Sequence, residues 1–310
     1  MRKINIKSIM KYNEPMSEHT TFRVGGNADI FLRPQNVPEL VEAVLWAKEQ
    51  NLPVFLLGEG ANILVSERGI RGMVIDTGAF RDCTFEDTLC IAGAGVRISD
   101  VSFEAMEKAL AGMEFLYSMP GSVGGSVWMN ARCYGKSVSD ILEYVDFLDE
   151  NLNTSRYYTQ KGDFGYKKSP FQRTSYIILK AGFRLSAGES GEIRSRMERY
   201  RMDRIKKGQF LYPCAGSVFK NNRSFGKPTG EIIDSLGFKG YTLGGARVSP
   251  YHANFIVNTG SATAGEVLSL IELIERKVKR QFGFELEREI ILVGDWEEEN
   301  ENSISKRDIE

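Results

Sequence analysis

Hydrophobic and polar positions follow two different periods along this chain, and the first clear stretch reads strand, helix, strand. Residues 29–32 and 53–57 carry short apolar runs, while Leu40, Val41, Val44, Leu45 and Leu52 recur near helical spacing, with Pro38 in the first turn. The second run leads straight into Gly58-Glu59-Gly60-Ala61-Asn62, where glycine permits unusual backbone angles and close approach to a ligand. Short strands at 74–75 and 89–92, the latter ending in Gly93-Ala94-Gly95, repeat that pattern. Ile98, Val101, Met106, Ala109 and Leu110 predict a second helix closed by Gly112. Pro120-Gly121-Ser122-Val123-Gly124-Gly125-Ser126 holds too many glycines for a stable helix or strand interior and reads as a tight or very closely packed turn. Strands at 144–148 and 176–183 follow.

A Gly/Ser/Glu-rich break at 186–192 and a charged run at 194–207, read as an exposed helix or linker, mark a domain boundary. Beyond it lie a helix around 230–236, a strand at 253–257 and a helix at 265–282. In that last helix Val267, Leu270, Ile271, Ile274 and Val278 share one face, and Gly283 closes it. Residues 285–293 read as a returning strand, and the polar, charged stretch from 297 has little to bury. The pattern therefore predicts an α+β fold in two domains, residues 1–190 and 191–298, with 299–310 as a disordered tail.

At 310 residues the chain exceeds what one core comfortably fills, which agrees with two domains. Its 40 Lys+Arg against 41 Asp+Glu give a net charge of -1, so the footprint of a general nucleic-acid binder is missing. No apolar run is long enough to cross a bilayer and Met1-Arg2-Lys3 leads into polar residues, so a cytoplasmic location is expected. Cys83, Cys90, Cys133 and Cys214 are scattered, with only His19 and His252 to join them, which favours reduced thiols over a zinc site.

The common phosphate motifs fail on inspection. Ile63 and Ile98 stand where G-x-G-x-x-G needs its last glycine, and Asn130 stands where a P-loop ending at Gly135-Lys136-Ser137 needs its first. What remains is three glycine-rich turns, around Gly58, Gly93 and Gly121. Any one could be structural; together they favour an extended anionic ligand such as a dinucleotide, cradled by backbone N–H groups. Ser217, in Ala215-Gly216-Ser217-Val218-Phe219-Lys220-Asn221, reads by itself as a turn hydroxyl.

That segment, with His19-Thr20-Thr21-Phe22-Arg23-Val24-Gly25-Gly26, Gly58-Glu59-Gly60-Ala61-Asn62-Ile63-Leu64-Val65, Pro120-Gly121-Ser122-Val123-Gly124-Gly125 and Leu286-Glu287-Arg288-Glu289-Ile290, occurs in order and spacing that resemble the UDP-N-acetylenolpyruvoylglucosamine reductase (MurB) family. The likeness runs from about residue 15 to Gly294, and is closest to the shorter, type II subgroup without a tyrosine-bearing insertion. It implies an FAD-binding domain of the vanillyl-alcohol-oxidase (PCMH) type followed by a smaller α+β substrate-binding domain. It also implies NADPH-dependent reduction of UDP-N-acetylglucosamine enolpyruvate to UDP-N-acetylmuramate through non-covalent FAD, for peptidoglycan synthesis.

By the same resemblance Gly58, Glu59, Gly60, Ala61, Asn62, Ser122, Gly124 and Gly125 would hold FAD. Ser217 would donate a proton, with Lys220 the nearest cation in sequence, and Glu289 would stabilise the enolate-like intermediate. Tyr134, Arg204, Lys220, Asn221 and His252 would contact substrate. Relatives carry Tyr-Arg-x-Ser where this chain has Tyr166-Lys167-Lys168-Ser169, so Lys167 stands in for an active-site arginine and offers one charge without the planar fork; Lys168 and Arg173 remain alternatives. No long exposed apolar stripe is evident, so a monomer with no nucleic-acid or membrane partner is expected. A sugar or lactone oxidase of the same fold, or a binding protein that has lost reductase activity, are the competing readings.

Overall fold

The computed structural model describes residues 6–296. The expected disordered tail and the N-terminal Met1-Arg2-Lys3 lie outside the described residues. The first sheet has strands in the order Lys11–Pro15, Asn27–Leu32, Ile70–Asp76 and Val54–Leu57, the first pair antiparallel and the others parallel. Helix α1, Val37–Glu49, forms where the apolar spacing predicts and covers it, but the buried face runs through Leu40, Ala43 and Ala47, packed with Met73 and Ile75, while Val41 and Val44 are half-buried and Leu45 is exposed. Its start is set by Asn36, whose side chain accepts from the Glu39 amide at 3.0 Å, and by Pro38 in the first turn.

A second sheet is antiparallel throughout, in the order Thr154–Tyr158, Leu142–Leu148, Ile177–Arg184, Leu89–Gly93 and Cys83–Glu86. Helices α2, Ile98–Glu107, and α3, Val123–Trp128, share its core. The α3 segment corrects the expectation of a turn at the Gly121 cluster. It is helical because close packing demands its glycines: a Cβ on Gly124 would sit 3.0 Å from the Ala94 Cβ and 3.2 Å from the Ala94 carbonyl oxygen. Ser122 caps it by accepting from the Gly125 amide at 3.2 Å.

The charged run is helix α4, Ser190–Lys206, which buries Ile193, Met197 and Arg204. Next come α5, Thr229–Ser235, the antiparallel strands Thr242–Leu243, Ala246–Val248 and Ile256–Asn258, and α6, Ala264–Phe282. The apolar face predicted for α6 is buried, its N-terminus carries a Thr263–Glu266 capping box, and Gly283 ends it at φ 78°.

The predicted strand at 285–293 is shorter than expected: only Ile291–Val293 pairs regularly, in parallel with Ile63–Val65. The residues before it are tied instead to the Ser217 segment, with the Lys220 amide donating to Glu287 O at 2.8 Å and the Glu289 amide to Val218 O at 2.7 Å. Phe22, Val24 and Leu64 from the N-terminal half enter the core built around α5 and α6. These crossings place the start, the Gly58 loop and the end of the chain against one another.

Candidate active site

Where the Gly58 loop meets the segment between α4 and Ser217, the surface opens into a cavity of about 980 Å³. This is the upper end of the roughly 300–1,000 Å³ usual for ligand sites. Gly58, Gly78 and Gly95 contribute backbone to its wall, and Arg23, Arg33, Arg81 and Arg97 contribute cations. A second cavity of about 330 Å³ adjoins it, sharing Thr21, Glu59, Arg97, Phe210 and Tyr212. Some of the charge is already committed. The Arg33 Nη2 lies 2.6 Å from Asp76, and Arg97 Nε lies 2.8 Å from Glu59, whose other oxygen accepts from the Gly121 amide at 2.7 Å. Glu18, Glu59, Asp76, Asp100 and Glu104 share the wall with these arginines, so the cleft is mixed in charge, and its backbone walls and arginines would meet the phosphates of an elongated dinucleotide.

Of the residues expected to hold the cofactor, Gly58 and Glu59 line the large cavity. Gly60, Ala61, Asn62, Ser122, Gly124 and Gly125 are outside the lining of either cavity. A Cβ on Gly58 would come within 2.4 Å of Ser122 Oγ, and one on Gly60, at φ 64°, within 2.2 Å of His19 O. Thr21, Arg97, Phe210 and Tyr212 had no role assigned from sequence, although Thr21 sits in a motif that carried the family likeness. Gly58→Ala should displace the Ser122 hydroxyl, remove the α3 cap at a cost of about 1 kcal/mol, and weaken FAD binding by moving the cavity wall. Adding Ser122→Ala should cost less than the two separate effects summed, measurable by urea unfolding and flavin-fluorescence titration.

Asn62 leads from this loop to the second centre. Its Nδ2 donates to Glu289 O at 3.0 Å, and its carbonyl accepts from the Ile291 amide at 3.0 Å. The Glu289 side chain meets Lys167, with Nζ 2.5 Å from Oε1 and both side chains about nine-tenths buried (10% and 12% exposed). Lys167 itself, not Lys168 or Arg173, is the residue this ion pair selects. Its backbone is held at φ 56°, a strained setting for a non-glycine residue. Gln172 Nε2 donates to Lys167 O at 3.1 Å and to Trp128 O, at the end of α3, at 3.0 Å. Ser217 lies one residue before Val218, which accepts from the Glu289 amide, and bridges to Phe255. Segments around 62, 167, 217 and 289 thus form one junction.

The remaining expected residues divide between two places. Lys220 Nζ is turned onto Glu287 Oε1 at 2.6 Å. The Asn221 amide donates to the Tyr166 hydroxyl at 3.2 Å, and its Oδ1 caps α5 by accepting from the Thr229 amide. Tyr134 instead packs on α4, stacked on Tyr200 at 4.2 Å, with its hydroxyl donating to Asp203 Oδ2 at 2.9 Å. Burial raises its pKa above the ordinary value, against the pull of Arg204. The Arg204 guanidinium lies 5.1 Å from the Tyr134 ring, and Nη2 donates to Phe115 O at 3.2 Å while the buried Nε has no hydrogen-bond partner among the described residues.

His252 stacks on Phe255 at 4.4 Å, and its Nδ1 accepts from the Asn254 amide. Burial first, then the charges of Lys207 and Lys239, lower its pKa to about 4. Between pH 6.5 and 4 the unfolded chain therefore binds this proton more readily than the folded one, so stability is lost as pH falls through that window. The loss should be at most on the order of 3 kcal/mol. His252→Asn should flatten the fall of the unfolding midpoint between pH 7 and pH 4.

The class of protein follows from residues 28–152, which carry the Gly58 loop and match the family described as an FAD binding domain. Residues 207–293 match the family described as the UDP-N-acetylenolpyruvoylglucosamine reductase C-terminal domain. The chain is 41% identical over 295 residues to the UDP-N-acetylenolpyruvoylglucosamine reductase of Caldanaerobacter subterraneus subsp. tengcongensis, covering 94% of this chain and 97% of that one. It is 38% identical to the reductase of that name from Borreliella burgdorferi, covering 95% and 97%. The crystal structure of the Thermus caldophilus UDP-N-acetylenolpyruvylglucosamine reductase (MurB) superposes with a TM-score of 0.76 at 32% identity, over 92% of this chain and 98% of that one. The chain belongs to the UDP-N-acetylenolpyruvoylglucosamine reductase family and is an FAD-dependent oxidoreductase with the α+β fold that family implies. Among the described residues, no helix is long and apolar enough to cross a membrane.

Proposed function

We propose that the chain reduces the enolpyruvyl ether of UDP-N-acetylglucosamine to UDP-N-acetylmuramate at a site formed by Ser217, Glu289 and Lys167, for peptidoglycan synthesis. The observation that carries this reading is the buried Lys167–Glu289 pair, joined through the Glu289 backbone to both Asn62 and the Ser217 segment. When bound, FAD would supply the hydride chemistry that links NADPH to C3 of the enolpyruvyl group. As negative charge develops at C2 and the carboxylate, Lys167 and Glu289 hold the electrostatic environment in place, and the Ser217 hydroxyl gives its proton to C2. One hydride and one proton then saturate the double bond. Placing these groups in advance spares the reaction the cost of orienting them as charge appears.

FAD would lie along the cavity walled by Gly58 and Glu59, with Arg23 and Arg81 facing its diphosphate and Arg33 and Arg97 held by Asp76 and Glu59. The other glycines of the two loops, with Ser122 and Asn62, would act by shaping that wall. Tyr134, Arg204 and His252 would form the substrate approach beside α4, and Asn221 and Lys220 its opposite side. The same reading makes the chain a monomeric cytoplasmic enzyme with no nucleic-acid or membrane partner.

The test is NADPH consumption by the FAD-loaded chain without oxygen. Turnover should require the enolpyruvyl nucleotide sugar and consume one NADPH per substrate. NADPH oxidation that ignores this substrate and depends on oxygen instead would support an oxidase, and flavin binding without either activity would support a binding protein.

A further inference from the structure

We propose that Thr21 is a positioning residue for the reductase reaction, clasping the flavin loop to the turn that carries Ser217. Its amide donates to Gly60 O at 3.1 Å, and its Oγ1 donates to Cys214 O at 2.8 Å. Thr21 lines both cavities, so this clasp sits on the wall of the cleft. On the loop side the shorter contact is backbone against backbone, with Oγ1 also 3.4 Å from Gly60 O, and the approach is close: a Cβ on Gly60 would fall 2.2 Å from His19 O and 2.9 Å from Thr20 Cα. On the other side Cys214 begins the turn Ala215-Gly216-Ser217, in which Gly216 takes φ 74°.

The next residues keep Thr21 from drifting with either partner. Phe22 is fully buried in the core around α5 and α6, and Asn258 Nδ2 donates to Phe22 O at 3.2 Å. The segment from His19 to Phe22 thus belongs to both halves, and the Thr21 hydroxyl is the side-chain bond that reaches across their seam to the turn carrying Ser217, beside those of Asn258 to Phe22 O and Asn62 to Glu289 O. A displacement of about 1 Å can cost on the order of 10² in rate. Ser217, three positions beyond the clasped carbonyl, is the group most exposed to such a displacement. Thr21 touches the reaction only through that turn. The proposal rests on the reading of Ser217 as proton donor.

Thr21→Val keeps the shape and removes the donor, whereas Thr21→Ser keeps the donor. Anaerobic stopped-flow measurement on the FAD-loaded chains separates reduction by NADPH from reoxidation by the enolpyruvyl nucleotide sugar. Thr21→Val should reoxidise about tenfold more slowly, the scale of one hydrogen bond, while reduction stays within about twofold of wild type. Thr21→Ser should restore reoxidation. Equal slowing of both half-reactions, loss of flavin or unfolding in Thr21→Val would mark a structural strut and overturn the proposal, as would a Thr21→Ser chain as slow as Thr21→Val. Ser217→Ala measured alongside separates the failures. Wild-type reoxidation in that variant removes the proton-donor reading, whereas wild-type reoxidation in Thr21→Val with a slow Ser217→Ala removes the clasp alone.

Discussion

Ser217→Ala is expected to slow reoxidation of the reduced enzyme by substrate by about 10²–10⁴-fold, the usual contribution of a positioned general acid. Reduction of the flavin by NADPH should proceed at the wild-type rate, because that step needs no proton from the serine. Stability should change little. Ser217 is only half-buried, and the groups that fix its segment are backbone: the Val218 amide donates to Asn254 O at 2.9 Å, and Val218 O accepts from the Glu289 amide. A variant slow in both half-reactions would point instead to a misplaced flavin.

The second large effect is expected from Lys167→Ala, which should slow the same half-reaction by at least about 10²-fold, comparable to losing one preorganised electrostatic contact. Here stability should fall as well. Removing one partner of a buried ion pair costs about 3–5 kcal/mol, and with both side chains about nine-tenths buried the loss should approach that range. Lys167→Arg separates charge from shape. It keeps the cation and adds a fork that can take both carboxylate oxygens of Glu289, where lysine now reaches one at 2.5 Å. Lys167→Arg should retain turnover within about tenfold, as a steady-state assay will show. Near-normal turnover in Lys167→Ala would remove Lys167 from the mechanism.

Periodic features were the most legible in the sequence. The face of α6 was readable because burial of one stripe imposes its spacing locally, with Gly283 marking its end, whereas for α1 Pro38 marked the start but the buried face runs through Ala43 and Ala47 and leaves Leu45 exposed. The α3 segment was not readable as a helix, because what demands Gly124 there is the close approach of Ala94 from the turn after the strand Leu89–Gly93. Glycine content speaks of backbone freedom, and only tertiary contact says how that freedom is used.

The site divides in the same way. Motifs brought attention to Ser217, Glu289 and Lys167, but the partner of each charge depended on chain crossings that spacing does not encode. Lys220, the cation nearest Ser217 in sequence, reaches Glu287, whereas distant Lys167 reaches Glu289. Two residues apart, Glu287 and Glu289 differ in depth, the Glu287 side chain being 71% exposed and that of Glu289 12%, a difference that tertiary packing sets and alternation along the segment does not. Arg97, Phe210 and Tyr212 were silent because a residue that lines a cleft by virtue of the fold need not sit in any motif.

A crystal structure of the chain with FAD and the enolpyruvyl nucleotide sugar tests the central claim most directly. The account predicts the flavin along the wall containing Gly58 and Glu59, Ser217 Oγ within about 3–3.5 Å of C2 of the enolpyruvyl group, and Lys167 with Glu289 beside its carboxylate. An enolpyruvyl group bound away from Ser217, with the Lys167–Glu289 pair facing no part of substrate or cofactor, would contradict it.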